Sequence, residues 1–239
     1  MTRKEMKNLI QNATFLGNTV KSLPERINTD VFDVIDCFRL KNIKKSILGS
    51  IDFNGFYLKD NNGEIILTYY DGDEGEIDLG STIDTIGPFC FYCNDKIRKV
   101  SGRKVKKIDA GAFSHSTIHE ASFTNLGYLV ANAFDSSELR RINVPKLRVI
   151  EGNAFYKCEK LKKINLPNCS VIGYHAFDGC RDLAQVNFLL EGMQIGEGAF
   201  TDCVKLSEWM RNLGNCEFTC QHTTRMPASG KFMMYHRFQ

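Results

Sequence analysis

A phenylalanine recurs at positions 91, 113, 134, 155, 177 and 200, each time five residues after an aliphatic residue: Ile86, Ile108, Leu129, Ile150, Ile172 and Ile195. Successive steps are 22, 21, 21, 22 and 23 residues. Self-similarity at such a period specifies a solenoid, because a unit this short cannot bury its own apolar face and must stack on its neighbours. Stacked repeats offer extended surfaces more readily than enclosed pockets, so the same feature directs the functional reading toward binding.

The best-formed unit runs from Ile150 to Pro167. Its second half alternates, placing Leu161, Ile164 and Leu166 inward and Lys163 and Asn165 outward by the two-residue period of a strand. Its first half, around Ala154-Phe155, is expected to be a short turn or helical piece whose ring plugs the core. Cys158, Cys180 and Cys203 each follow a repeat Phe by three residues, and Cys90 holds a place taken elsewhere by Ala112, Ala133, Ala154, Ala176 and Ala199. Such positions suit a thiol packing as a compact hydrophobe, so reduced cysteines are expected. The unit at 108–128 carries His119, Ala121 and Phe123 in its strand half, and a distorted rung is expected there.

The residues Ile172-Gly173, Ala176-Phe177, Cys180, Leu183, Val186 and Phe188 repeat the scheme of Ile150, Gly152, Ala154-Phe155, Cys158, Leu161, Ile164 and Leu166-Pro167. This pattern resembles the BspA-type, or Treponema pallidum-type, leucine-rich repeat. The resemblance implies an α/β leucine-rich repeat solenoid of about six 21–23-residue repeats joined by a parallel strand ladder, spanning 83–210. Before it, residues 51–82 read as a hairpin and leading strands, with Asp60-Asn61-Asn62-Gly63 as the turn. Residues 1–50 read as a helical region: Thr2 and Glu5 form a capping box, and Asp30 caps a second helix bearing Val31, Val34, Ile35 and Phe38. Residues 211–239 read as an irregular C-terminal cap or tail. Secreted members of the family are surface adhesins. Here the charged N-terminus is followed by no apolar signal core, and an intracellular, cytoplasmic protein is expected.

No apolar run approaches the roughly 18 residues of a membrane span, so no membrane partner is expected. The net charge of +3 is mild, and electrostatics must come from local patterning. Projecting the repeat gives two outward columns about 5 Å per step. One reads Glu76, Lys99, Glu120, Arg141, Lys163, Gln185 and Glu208; the other reads Asp78, Ser101, Ser122, Asn143, Asn165 and Asn187. Arg98, Arg140 and Lys162 extend the positive strip. Arg141 beside Lys163 is a like-charge contact of roughly 0.8 kcal/mol in bulk water and roughly 3 kcal/mol at a protein-like dielectric, which an anionic partner would relieve. The asparagines are expected to bond from rung to rung.

The leading expectation is therefore a non-enzymatic protein-interaction module, with a regulatory or inhibitory role such as a mobile-element or phage product acting on a host protein. Its partner would be an acidic protein or a nucleoprotein, held by Lys99, Arg141, Asn143, Lys163, Asn165 and Asn187, with Arg98, Arg140 and Lys162 beside them. One rival is a nucleic-acid binder using the basic run Lys96, Arg98, Lys99, Arg103, Lys104, Lys106 and Lys107, although aromatic residues for base stacking are missing from it. Another is a structural spacer. No nucleophile–base grouping or phosphate-cradling loop stands out, and no cofactor is expected. Cys216, Cys220 and His222 have near-zinc spacing without the paired knuckles of a strong motif, so no metal is assigned.

Overall fold

A computed structural model of the chain describes residues 55–190 and 192–211. The expected helices of 1–50, the Cys216–His222 group and most of the C-terminal region lie outside the described residues. The expected hairpin opens the structure: β1 (Phe56–Asn61) and β2 (Glu64–Tyr70) pair antiparallel. Asn62 and Gly63 make the turn with φ of 50° and 92°, the left-handed pair that matches the twist of two-residue hairpins.

From β2 onward the chain winds into a solenoid with two strand-bearing faces. On the first lie β3 (Glu76–Asp78), β5 (Lys99–Ser101), β7 (Glu120–Ser122), β9 (Arg141–Asn143), β11 (Lys163–Leu166) and β13 (Gln185–Phe188). On the second lie β4 (Thr85–Ile86), β6 (Lys107–Ile108), β8 (Tyr128–Leu129), β10 (Val149–Ile150), β12 (Val171–Ile172) and β14 (Gln194–Ile195). The second face continues β1 and β2 into an eight-stranded sheet, parallel from β2 on. A four-residue α1 (Glu208–Arg211) is the one helix among the described residues.

The core is a stack of rings. Phe91, Phe113, Phe134, Phe155, Phe177 and Phe200 are all buried. Neighbouring rings lie within 8° of parallel, with centroids 4.8–5.5 Å apart, close to the interstrand spacing of a sheet. Of the two options for the Ala-Phe half, the turn is the one formed. In each turn the residues two before and two after the spine Phe have positive φ, as at Asn153 (57°) and Lys157 (51°) around Phe155. This alternation aims the N–H groups of positions −2, 0 and +2 along the solenoid axis. Asn153, Phe155 and Lys157 thereby donate to the carbonyls of Tyr174, Ala176 and Asp178 at 2.9, 2.8 and 2.7 Å. The third side thus carries its own ladder without strands. Glycine fills a left-handed site at 111, 179 and 198; elsewhere an L-residue accepts a cost of about 1–2 kcal/mol.

The buried thiols pack as hydrophobes and also donate. Sγ of Cys158, Cys180 and Cys203 lies 3.0 Å from the carbonyl oxygens of Phe134, Phe155 and Phe177. Burial pushes the Cys158 and Cys203 thiols up to about 12, so they stay protonated as that bond requires. Cys90, Cys158, Cys169, Cys180 and Cys203 are free, as expected. Cys93 is a correction: it is disulfide-bonded.

The distorted rung is also placed differently from expectation. β7, in the 108–128 unit, pairs in full register with β5 and β9. Phe123 is buried and tilted 43° against Phe113. The irregularity instead falls one step later. β9 and β11 are neighbours but belong to separate sheets. From spine Phe to the next buried aliphatic the chain takes five residues at 113–118 and 134–139, and six at 155–161. An equal change in the opposite sense, from 91–97 to 113–118, leaves its ladder intact, so loop length alone is not the cause. The like-charged pair Arg141 and Lys163 faces across this same step.

Replacing Lys157 by glycine should raise stability by up to about 1 kcal/mol, because glycine adopts the left-handed conformation freely. Lys157→Val should lower it by about 1–2 kcal/mol. Urea unfolding midpoints of the two variants check this; equal midpoints would contradict the assigned conformation.

Candidate functional site

Face one carries the outward columns in the expected register. Glu76, Lys99, Glu120 and Arg141 stand opposite one another on β3, β5, β7 and β9, as do Asp78, Ser101, Ser122 and Asn143. Lys163 pairs with Gln185, and Asn165 with Asn187, on β11 and β13. Glu208 leaves the column because the chain turns into α1 there.

Inward-facing Ala121 follows Val100 and precedes Ile142, and this small residue marks a shallow depression of ≈ 290 Å³. Lys99, Glu120, Ser122, Arg141, Asn143 and Lys163 form its polar walls over that apolar floor. Four expected site residues are thus brought together. Glu120 and Ser122 were not singled out from sequence as site residues, although both stand in the projected columns.

Among the described residues, six cations of the array are neutralised by a carboxylate one rung earlier. Lys96 pairs with Asp73, Lys99 with Glu76 at 3.5 Å, Arg141 with Glu120 at 2.6 Å, Lys160 with Glu138 at 3.1 Å, Arg181 with Glu159 at 3.2 Å, and Lys205 with Asp182. The basic run 96–107 is largely absorbed by ion pairs as well: Lys104 pairs with the buried Asp84 at 2.7 Å, and Lys107 with Asp109 of its own turn at 3.3 Å. Arg98 donates to the carbonyls of Asp95 and Ile97 at 2.9 and 3.1 Å. The run also wraps the solenoid, with Lys99 in β5 on face one and Lys107 in β6 on face two, so it makes no single strip. Arg103 and Lys106 are exposed beside it.

Beyond Arg103 and Lys106, three more expected site cations have neither a carboxylate nor a carbonyl partner among the described residues. Arg140, Lys162 and Lys163 are exposed and have no acidic partner among the described residues. The preceding-rung neighbour of Lys163 would be Arg141, and its following neighbour is Gln185, so its column supplies no carboxylate. The lower column is bonded from rung to rung: Asn143 Nδ2 donates to Ser122 Oγ at 3.3 Å, and Ser101 Oγ to Asp78 Oδ1 at 2.9 Å. Asp78 also accepts from the Gly80 N–H, which with Ser101 lowers its pKa. The expected amide bond between Asn165 and Asn187 is replaced by one from Gln185 Nε2 to Asn187 Oδ1 at 3.2 Å. The Asn165 side chain has no hydrogen-bond partner among the described residues.

The histidines serve local pairs: His119 Nε2 lies 3.2 Å from Glu138, and His175 Nδ1 lies 2.9 Å from Asp178. Among the described residues no three ligating side chains converge as a metal site would require, and no helix is long and apolar enough to cross a membrane. Sequence reading passed over Tyr174, which is 56% exposed. It occupies a column of Pro88, Ala110, Ala131 and Gly152, and its ring lies over Gly152 where a Cβ would clash. A ring in a small-residue column, one rung after a glycine, was the available signal.

Stacked 21–23-residue turns with a parallel strand face and a ring spine define a leucine-rich repeat solenoid. The model of the BspA type leucine-rich repeat region, in six copies, matches residues 73–162 and 148–231, and the chain belongs to that family. Among solved structures it is similar to a leucine-rich repeat protein from Eubacterium ventriosum, at 18% identity and a TM-score of 0.50, covering 66% of this chain and 46% of that one. It is also similar to the T. pallidum leucine-rich repeat protein, at 19% identity and a TM-score of 0.42, covering 68% and 93%. The chain thus spans about half the length of the first, and the likeness shows the fold. No protein with a curated description matches the chain in sequence. The family is one of repeat modules that in general mediate protein–protein interaction.

Glu138 ties this end of face one together. Its pKa is lowered first by the hydrogen bond from Lys160 and then by that from His119. A depressed carboxyl stabilises the fold above its unfolded value, near 4.5, and that contribution disappears as pH falls through the lower folded value. Glu138→Gln should therefore cost stability at pH 7 by an exposed-pair amount, about 0.2–1 kcal/mol, and little at pH 3. Thermal melts of both proteins across this range check it; an equal deficit at both pH values would contradict the assignment.

Proposed function

We propose that this chain is a binding module that holds a protein partner against face one, centred on the depression between β5 and β11, and that the partner covers Lys99, Arg141, Asn143, Lys163, Asn165 and Asn187. The observation carrying this reading is the change in character along that face. Over β3 to β9 the polar side chains satisfy one another, whereas at β11 Lys163 and Asn165 are left without partners beside an apolar floor. Apolar floor, polar walls and unsatisfied donors together are what a binding surface requires. The action on the partner is read as regulatory: a module that covers a segment of another protein withholds that segment from other contacts. The ion pairs at Lys96, Lys99, Lys104 and Lys107 favour this reading over nucleic-acid binding through 96–107, because a paired cation has less to gain from a phosphate.

A photo-crosslinking residue placed at Asn143 should capture a discrete protein in cells of the native host, whereas the same residue at Val149 on face two should not. Lys163→Glu should reduce the Asn143 capture several-fold. Equal capture from both faces, or capture indifferent to Lys163→Glu, would overturn the reading.

A further inference from the structure

The charge of the array is segregated along its axis. Residues 55–137 carry eight Lys and Arg against twelve Asp and Glu, and residues 164–211 carry three against six. Between them, residues 138–163 carry eight against three. A basic belt little more than one rung deep therefore separates two acidic stretches. Within it, Lys160 and Arg141 are committed to Glu138 and Glu120, which leaves Arg140, Lys162 and Lys163 on successive rungs of one face. The charge of Lys162 is felt by Asp182, but Asp182 is itself bonded to Lys205. This is also where the hydrogen-bond ladder of face one stops, between β9 and β11.

We propose that this belt is the seat of an extended acidic segment of a partner protein, which lies across the step between β9 and β11 and bridges Arg140, Lys162 and Lys163. The inference rests on the assignment of face one as the binding face and specifies what that face recognises. An extended chain presents alternate side chains to one side about 6.7 Å apart. Rungs stand about 5 Å apart, and the reach of Arg and Lys covers the difference, so carboxylates two residues apart can meet cations on consecutive rungs. The amide of Asn165, without a partner among the described residues, is placed to bond the segment's backbone. The net negative charge of residues 55–137, with Asp78 on face one outside any ion pair, repels the same segment on the lower rungs, which confines it to the belt and fixes its position along the axis. Because β9 and β11 share no ladder, a bound segment would supply the cross-rung link that the fold lacks here.

The test uses the full chain and fluorescein-labelled hexaglutamate, with fluorescence anisotropy at 20 and 200 mM salt. Hexaglutamate should bind at low salt and weaken at least tenfold at high salt. The Arg140→Gln/Lys162→Gln/Lys163→Gln variant should weaken low-salt binding by tenfold or more, while Lys96→Gln/Lys106→Gln should stay within about twofold of the parent. Circular dichroism of each variant confirms its fold, and should the triple variant fail to fold, Lys162→Gln alone should weaken binding two- to fourfold. Loss of affinity in the 96/106 variant equal to that in the belt variant would overturn the proposal, and so would hexaglutamate binding that ignores salt. Labelled hexathymidylate binding more tightly than hexaglutamate would also overturn it, in favour of a nucleic-acid ligand. Asn143 crosslinks that persist without hexaglutamate binding would remove the acidic-segment proposal and leave the binding face standing.

Discussion

Everything on the surface of this protein is positioned by the contact between one spine phenylalanine and the next. The rings stack nearly parallel at 4.8–5.5 Å. Each spine N–H donates to the carbonyl of the alanine beside the next ring, at 2.7–2.8 Å from Phe91 to Phe177. Ring stacking fixes the rise of a turn and the amide bond fixes its rotation. Together they hold the turns in register, even at the step where the face-one ladder lapses. The cost is borne in the turn, where paired left-handed residues flank each ring, and it is offset by three inter-turn hydrogen bonds per repeat.

Register converts a sequence period into electrostatics. With residues 21–23 apart stacked, Lys99 meets Glu76, Arg141 meets Glu120 and Lys160 meets Glu138. Each exposed pair contributes little to stability, on the order of 0–1 kcal/mol. Their larger effect is subtractive: on face one they leave Arg140, Lys162 and Lys163 as the cations with neither a carboxylate nor a carbonyl partner among the described residues. The depression lined by Lys99, Arg141, Asn143 and Lys163 lies against that residue of charge.

Much of this was legible in the chain itself. The spine positions, the inward set Leu161, Ile164 and Leu166, and the outward columns through Arg141 and Asn143 follow from periodicity, which reports burial directly. The break between β9 and β11 was not legible, because a one-residue change of loop length of the same size leaves the ladder between β5 and β7 intact. The odd strand of the 108–128 unit looks disruptive in isolation, yet Phe123 packs buried against Phe113 and the strand keeps its register on both sides. The period itself sets the acidic block Asp71, Asp73, Glu74, Glu76 and Asp78 one rung from the basic run, where the two can neutralise each other, and Lys96 and Lys99 do meet Asp73 and Glu76. Which of the other cations stay free is not set by the period alone. Lys96, Lys99 and Lys104 belong to the densest basic run of the sequence, but the acids that neutralise them lie about one turn away. Projection gave the neighbours, whereas pairing depends on where long side chains reach.

The most direct test of the shared spine is a double-mutant cycle on Phe155 and Phe177, comparing Phe155→Leu, Phe177→Leu and the double variant by urea unfolding. Rings stacked 5.0 Å apart at 8° should show a coupling energy of about 0.5–1.5 kcal/mol, the double variant losing less than the two single losses combined. Strictly additive losses would mean that the two rings do not touch, and the register on which the binding face is built would fall with them.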